Sequence, residues 1–212
     1  QPYSLSKVNC ELIFKSYKKE YFSKKAIGAV SLRAGNVIGG GDWSKDRLIP
    51  DFFKSLELEL PFKIRSPESI RPWQHVLEPL SGYLCLAENL YLGNQNHGEA
   101  YNFGPSSYQN YSVSKLIDEM AKYWDQIKWN DVSESGENVP EAGLLKLNCD
   151  KALYDLEWHS VLNFEETIKM TVEWYMEFYK NKNQSMRDFT ISQIEAYTKS
   201  ASSIHLPWAS ND

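Results

Sequence analysis

AIGAVSLRAGNVIGGGDW, residues 26–43, is the stretch whose reading decides the fold. Residues 26–37 are short, apolar and rich in β-branched side chains, which predicts a buried strand. The run Gly39-Gly40-Gly41 ends it, with Asn36 close to the strand end. Glycines let a backbone approach a ligand closely, and open α/β sheets bind ligands beyond the C-terminal ends of their strands. A plain structural turn explains the same glycines equally well, so both readings stay open here. A dinucleotide fingerprint is absent, because Ser44 stands where the third small residue of G-x-G-x-x-G belongs and no helix is predicted to open there.

Working outward, residues 4–22 predict a helix. Leu5, Val8 and Leu12 form one stripe, which Ile13, Tyr17 and Tyr21 widen. On the other side come a short helix near 50–58, an extended piece over 70–76, and a strong helix over 77–92 with Pro79 in its first turn, where proline is tolerated. A short strand over 101–103 closes at Gly104-Pro105. A helix over 113–124 follows, with Ser112 as its N-cap. Residues 126–148 hold one or two short strands and a loop, and helices are predicted over 150–156, 164–179 and 191–200. Helices and short strands alternate throughout, which is the pattern of an α/β chain.

The 212 residues suffice for one domain with a proper core, or for one domain and part of another. A net charge of −5 with no basic block argues against a nucleic-acid surface. A small anionic ligand stays compatible, since a few arginines suffice to hold one. Cys10, Cys85 and Cys149 are far apart and show no metal-ligand spacing, so no metal is expected and free thiols in a reducing cytoplasm are. No apolar run reaches the length of a membrane span. The chain opens on Gln1-Pro2-Tyr3 without Met and runs straight into a helical pattern, so a piece of a larger product is expected.

Tyr3 and Lys7 share one face of the first predicted helix, a turn apart. An ammonium beside a phenol favours the phenolate, which can take a proton from a sugar hydroxyl while hydride leaves the same carbon. Read alone, Y-x-x-x-K arises by chance on helix surfaces. Arg71, within IRPWQHV (70–76), can hold a diphosphate through paired hydrogen bonds. Trp73 reads as core and His75 as a hydrogen-bonded partner without a catalytic role. Asn102, within YNFGP (101–105), sets an amide at a strand end, where a simple Asx turn is the plain alternative.

Taken in order, Tyr3-x-x-x-Lys7, Arg33-x-x-Asn36-Val37-x-Gly39, Leu48-Ile49-Pro50, Arg71-x-Trp73-x-x-Val76 and Tyr101-Asn102-x-Gly104 resemble the second half of an extended short-chain dehydrogenase/reductase, the NAD-dependent epimerase/dehydratase family. LNCDKA (147–152), Leu156-x-Trp158 and Trp174-Tyr175 extend the resemblance to about residue 180. The runs over 33–43, DRLIPD (46–51) and RPWQHVLEPLSGY (71–83) are similar to the branch of the family that dehydrates CDP-glucose. Another nucleotide-sugar epimerase or dehydratase, or an inactive binding fragment, is the alternative.

The resemblance implies the C-terminal part of a Rossmann-type NAD-binding fold plus a small mixed α/β substrate-binding domain. Residues 1–40 would belong to the first, with 77–104 returning to it; residues 41–180 would be mainly substrate domain, and 181–212 a tail. It implies a lyase that oxidises C4 of the sugar with NAD, loses water across C5 and C6, and returns hydride to C6. Tyr3 would be the base, and Lys7 would support it and hold the nicotinamide ribose. Asn36, Arg71 and Asn102 would bind the substrate diphosphate, Leu48 and Ile49 would line the nucleotide pocket, and Arg65 would reach the base or ribose. The pyrophosphate loop, the acidic residue for the adenosine ribose and the acid/base groups of the elimination are expected upstream of Tyr3. A cytoplasmic homodimer in deoxysugar or lipopolysaccharide O-antigen synthesis is also implied.

Overall fold

The computed structural model describes residues 2–25, 27–93, 97–125, 127–134, 143–181 and 184–210. The chain opens with α1 (Pro2–Tyr17), continued by a wider π turn (Lys18–Phe22), then β1 (Ser31–Ala34), β2 (Asn36–Ile38), α2 (Leu48–Glu57) and β3 (Phe62–Ile64). Next come β4 (Ile70–Arg71), β5 (Trp73–His75), α3 (Leu77–Tyr91), β6 (Ala100–Phe103), β7 (Tyr111–Ser112) and α4 (Val113–Ala121). The rest is β8 (Trp129–Asp131), α5 (Asp150–Leu156), α6 (Phe164–Lys180), α7 (Arg187–Ser203) and a final 3-10 turn (Pro207–Ala209).

The strand predicted over 26–37 is two strands with different partners. β1 pairs in parallel with β6, from Ser31 opposite Ala100 to Ala34 opposite Phe103. β2 pairs in parallel with β5, Asn36 opposite Trp73. Gly35 makes the switch: its N–H donates to Phe103 O at 3.2 Å, while the next N–H, of Asn36, donates to Pro72 O at 2.9 Å. A Cβ on Gly35 would stand 2.6 Å from Pro72 O, so a side chain there would push the two segments apart. Ala26 lies outside the described residues, and 27–30 are not strand because the ladder with β6 begins only at Ser31.

The helices fall close to their predicted places. Ser112 caps α4, its Oγ accepting the Lys115 N–H at 3.2 Å. Asn163 and Glu166 close a reciprocal capping box on α6, each bond 2.8 Å. The short strand expected within 126–148 is β8, paired in parallel with β3, whereas Gln126 and residues 135–142 lie outside the described residues.

Two apolar clusters carry most of the packing. In one, Phe52 and Phe53 of α2, Leu116, Ile117 and Met120 of α4, and Ile168, Val172 and Tyr175 of α6 interlock; Tyr175 stacks on Phe53 with ring centres 3.8 Å apart. In the other, Leu86 of α3, Tyr101 and Phe103 of β6, Ala152 of α5 and Trp158 close over β6. Fully burying each such side chain contributes about 1.5–3 kcal/mol. α1 belongs to neither: it has no buried residue, and Leu5, Val8, Leu12, Ile13 and Tyr17 stand in solvent. The stripe that predicted the helix is thus correct about its conformation and uncovered among the described residues.

Candidate active site

A cleft of about 1270 Å³ opens where β1 and β2 end. Its walls are the residues from Ala34 to Gly39, the first turn of α2, β3 with Arg65 and Ser66 behind it, and the segment from Arg71 to Trp73. Pro2 and Tyr3 at the start of α1 form part of its rim. Of the residues singled out from sequence, Tyr3, Asn36, Leu48, Ile49, Arg65 and Arg71 converge here. Positions 3 to 71 are brought together because Gly35 turns the chain from one parallel pair to the next, and because α2 returns toward that crossing.

Tyr3 is 72% exposed, with its phenol open to a ligand. The Lys7 ammonium lies 5.3 Å from the centre of the Tyr3 ring, as one helical turn allows. Lys7 is not part of the cleft wall. Arg71 is 8% exposed, lines the cleft and donates from Nη1 to Ile70 O at 2.8 Å. Asn102 lies outside the cleft wall: its Oδ1 accepts from Arg33 Nη1 at 3.3 Å and its Nδ2 donates to Asn148 O at 2.9 Å. The exposed hydroxyl of Tyr3 and the cation of Lys7 on one helix face suit the vicinal hydroxyls of a nicotinamide ribose.

The glycine run proves to be mainly a packing feature. A Cβ on Gly40 would stand 2.0 Å from Trp174 Cγ, and one on Gly39 would stand 2.8 Å from Val76 Cγ1. Gly41 adopts φ of 81°, a left-handed conformation that glycine reaches without strain. Of the three, Gly39 alone forms part of the cleft wall. His75 is buried and accepts the Leu77 N–H at Nδ1, 3.4 Å away; burial lowers its pKa to about 4, so it stays neutral.

Two features escaped the sequence reading. Arg47, immediately before Leu48-Ile49-Pro50, stands in the cleft wall with Asp46 and Asp42. Burial works against the charge of Asp42, but the hydrogen bonds from Ser44 and the charges of Arg47 and Lys54 outweigh it and hold the carboxyl below its usual range. The second is Glu78 of α3, 1% exposed, which accepts the N–H groups of Val161 and Leu162 and the hydroxyl of Tyr197.

Parallel strands covered by helices, with a cleft beyond the strand ends bordered by Tyr3 and Arg71, define a Rossmann-type α/β protein. Residues 1–104 match the NAD dependent epimerase/dehydratase family, and the chain belongs to that family. The CDP-glucose 4,6-dehydratase of Salmonella typhimurium is 43% identical over 189 residues, which cover 86% of this chain and 52% of that protein. The chain thus spans about half the length of that relative. Among solved structures, the UDP-glucuronic acid 4-epimerase from Bacillus cereus, in complex with UDP-glucuronic acid and NAD, superposes with a TM-score of 0.71 at 19% identity over 84% of this chain and 54% of that one. The dTDP-glucose 4,6-dehydratase from Bacillus anthracis, in complex with NAD, gives 0.61 at 21% identity over 84% and 52%. At these identities the two structures establish the shared fold. Among the described residues no helix is long and apolar enough to cross a membrane.

Proposed function

We propose that this chain supplies the Tyr–Lys pair and the nucleotide-sugar cleft of an NAD-dependent CDP-glucose 4,6-dehydratase. The observation that carries this reading is the convergence of Tyr3, Asn36, Leu48, Ile49, Arg65 and Arg71 on one cleft. The 43% identity to the Salmonella enzyme supports CDP-glucose as the substrate. Tyr3, as phenolate, takes the proton from the C4 hydroxyl, and Lys7 supports that charge and holds the nicotinamide ribose. With its nicotinamide ribose held by Tyr3 and Lys7, bound NAD would supply hydride acceptor and donor chemistry at C4 and C6. Asn36 and Arg71 hold the diphosphate, Leu48 and Ile49 pack against the nucleoside, and Arg65 reaches its base or ribose. Residues 41–180 are read as mainly substrate domain, and the product enters cytoplasmic deoxysugar synthesis of the kind that feeds O-antigen. The test is incubation of the full-length protein with NAD and CDP-glucose. Loss of one water from the sugar nucleotide, read by mass spectrometry, is expected; C4 inversion without water loss would replace this reading by an epimerase.

Arg71→Ala is expected to weaken CDP-glucose binding by about 1.5–3 kcal/mol, the range for a charge-assisted hydrogen bond, and to leave NAD affinity near wild type. Calorimetry on the full-length variant checks both numbers, and an unchanged CDP-glucose affinity rejects the assignment.

The full-length protein is proposed to be a homodimer that pairs through α1. Leu12 and Ile13 are exposed on faces of α1 other than the one that carries Tyr3 and Lys7, and a helix apolar on several sides needs a second partner. Ile13→Glu is expected to yield monomers in sedimentation, and a variant that stays dimeric removes α1 from the interface.

A further inference from the structure

Among the described residues, Glu11 is the one side chain of α1 that hydrogen-bonds to another element. Its Oε1 accepts from Arg33 Nε at 2.8 Å and from Ser31 Oγ at 2.6 Å. Ser31 and Arg33 are two apart on β1, so they project from the same face of the strand. Arg33 is braced in turn by Asn102, which is bonded to Asn148 O. Tyr3, Lys7 and Glu11 recur every four residues along α1 and so form one stripe. A Glu one turn from a Lys ordinarily pairs with it on a helix surface. Here Glu11 turns to the sheet instead, and the Lys7 ammonium lies by the Tyr3 ring, 5.3 Å from its centre. The Arg33 hydrogen bond is the largest influence on the Glu11 carboxyl; against opposing burial and with help from Ser31, it holds that carboxyl below its usual range.

We propose that Arg33 and Ser31 hold the Glu11 carboxylate against the sheet, so that the Lys7 charge is left to the Tyr3 phenolate. Arg33 is then a positioning residue for the reaction and Glu11 the competitor that it restrains, an inference that rests on the assignment of Tyr3 as base. Without Arg33, the Glu11 carboxylate swings back by one turn and competes for Lys7, and the phenolate loses part of its counter-charge. Asn102, expected from sequence to touch substrate, acts here as the brace of Arg33. The other charges near the stripe are Lys15 on α1, and Arg47, Arg65, Arg71, Lys63, Asp42, Asp46 and Asp51 in the cleft that Tyr3 borders. None of these is altered in the test below.

The test is a double-mutant cycle in the full-length holoenzyme, read as kcat against pH. Arg33→Leu is expected to lower kcat near neutral pH by about three- to fivefold, the upper part of the range an exposed ion pair supplies. The KM for the sugar nucleotide should hold, and the rate at alkaline pH should return toward wild type. Glu11→Gln alone should stay within about twofold of wild type, and Arg33→Leu with Glu11→Gln should recover the neutral-pH rate to the same margin. A clamp that merely fastens α1 predicts no such recovery, because the double variant lacks the clamp as well. The inference is overturned if the double variant is no faster than Arg33→Leu, or if the Arg33→Leu loss is the same at every pH. Should Arg33→Leu not fold, Arg33→Gln, which keeps an amide for Asn102, gives the same readout. Turnover that survives Tyr3→Phe removes the base assignment itself, a different failure from either of these.

Discussion

Tyr3→Phe in the full-length protein is expected to lower kcat by about 10²–10⁴-fold, the range that general acid–base transfer supplies. The change deletes one oxygen and keeps the ring, so what is lost is the group proposed to take the C4 proton. Position on the molecule separates this chemical effect from a structural one. Tyr3 is 72% exposed and α1 has no buried residue, so the substitution removes no core contact. Thermal unfolding and CDP-glucose affinity should therefore match wild type while turnover collapses. Steady-state assay of water loss checks the rate, and calorimetry checks the affinity. A variant that turns over at the wild-type rate sinks the role assigned to Tyr3 and with it the mechanism built on the Tyr–Lys pair. If turnover and affinity fall together, Tyr3 holds the substrate and is not its base.

How legible all this was in the sequence differs from element to element, for physical reasons. α5 and α6 were readable almost to the residue, and for α6 the start is written locally in Asn163 with Glu166 and in the apolar spacing that follows. The strand over 26–37 was readable as apolar and extended but not as two strands. Its division depends on Pro72 O standing opposite Gly35, a contact between segments about 37 positions apart that leaves no local mark. The glycine run was ambiguous for the same reason, since Trp174, which forbids a side chain at Gly40, lies far along the chain. The cleft was legible in part: Tyr3, Asn36 and Arg71 carried residue types suited to a ligand site, while Leu48, Ile49 and Arg65 came from the family resemblance alone. The resemblance placed Asn102 with them, and residue type could not separate the cases, because an amide at a strand end looks the same whether it faces a ligand or a neighbouring arginine. Arg47 was quoted within DRLIPD but given no role, because its value lies in standing at the start of α2 beside the cleft.

Glu78 is the largest omission, and its replacement by Ala is expected to destabilise the full-length protein by about 3–5 kcal/mol. The tail after residue 181 reads from sequence as polar, with one helical pattern over 191–200. In the structure Tyr197 of α7 is buried and donates to Glu78 Oε2 at 2.9 Å, while Val161 and Leu162 donate their N–H groups to the same carboxylate, Leu162 at 2.7 Å. Ser81, one turn along α3, lies 3.0 Å from the Tyr197 hydroxyl and accepts the Trp158 indole N–H at 2.9 Å. One side chain therefore ties α3 to α7 and to the segment entering α6, and its removal leaves three buried donors without that acceptor. Glu78→Gln should cost much less, since its oxygen still serves the two N–H groups and its NH₂ can donate to Tyr197, which then donates to Ser81. Burial pushes the Glu78 carboxyl up, against the hydrogen bonds from Leu162, Val161 and Tyr197. Its contribution is therefore fully present below the ordinary Glu value and declines as pH rises through the higher folded value. Urea unfolding of wild type against Glu78→Gln over that range checks the sign, and hydrogen exchange in α7 checks the place. Wild-type stability that rises with pH relative to Gln would mean that the ionised carboxylate is the favoured form and that its four hydrogen bonds outweigh burial.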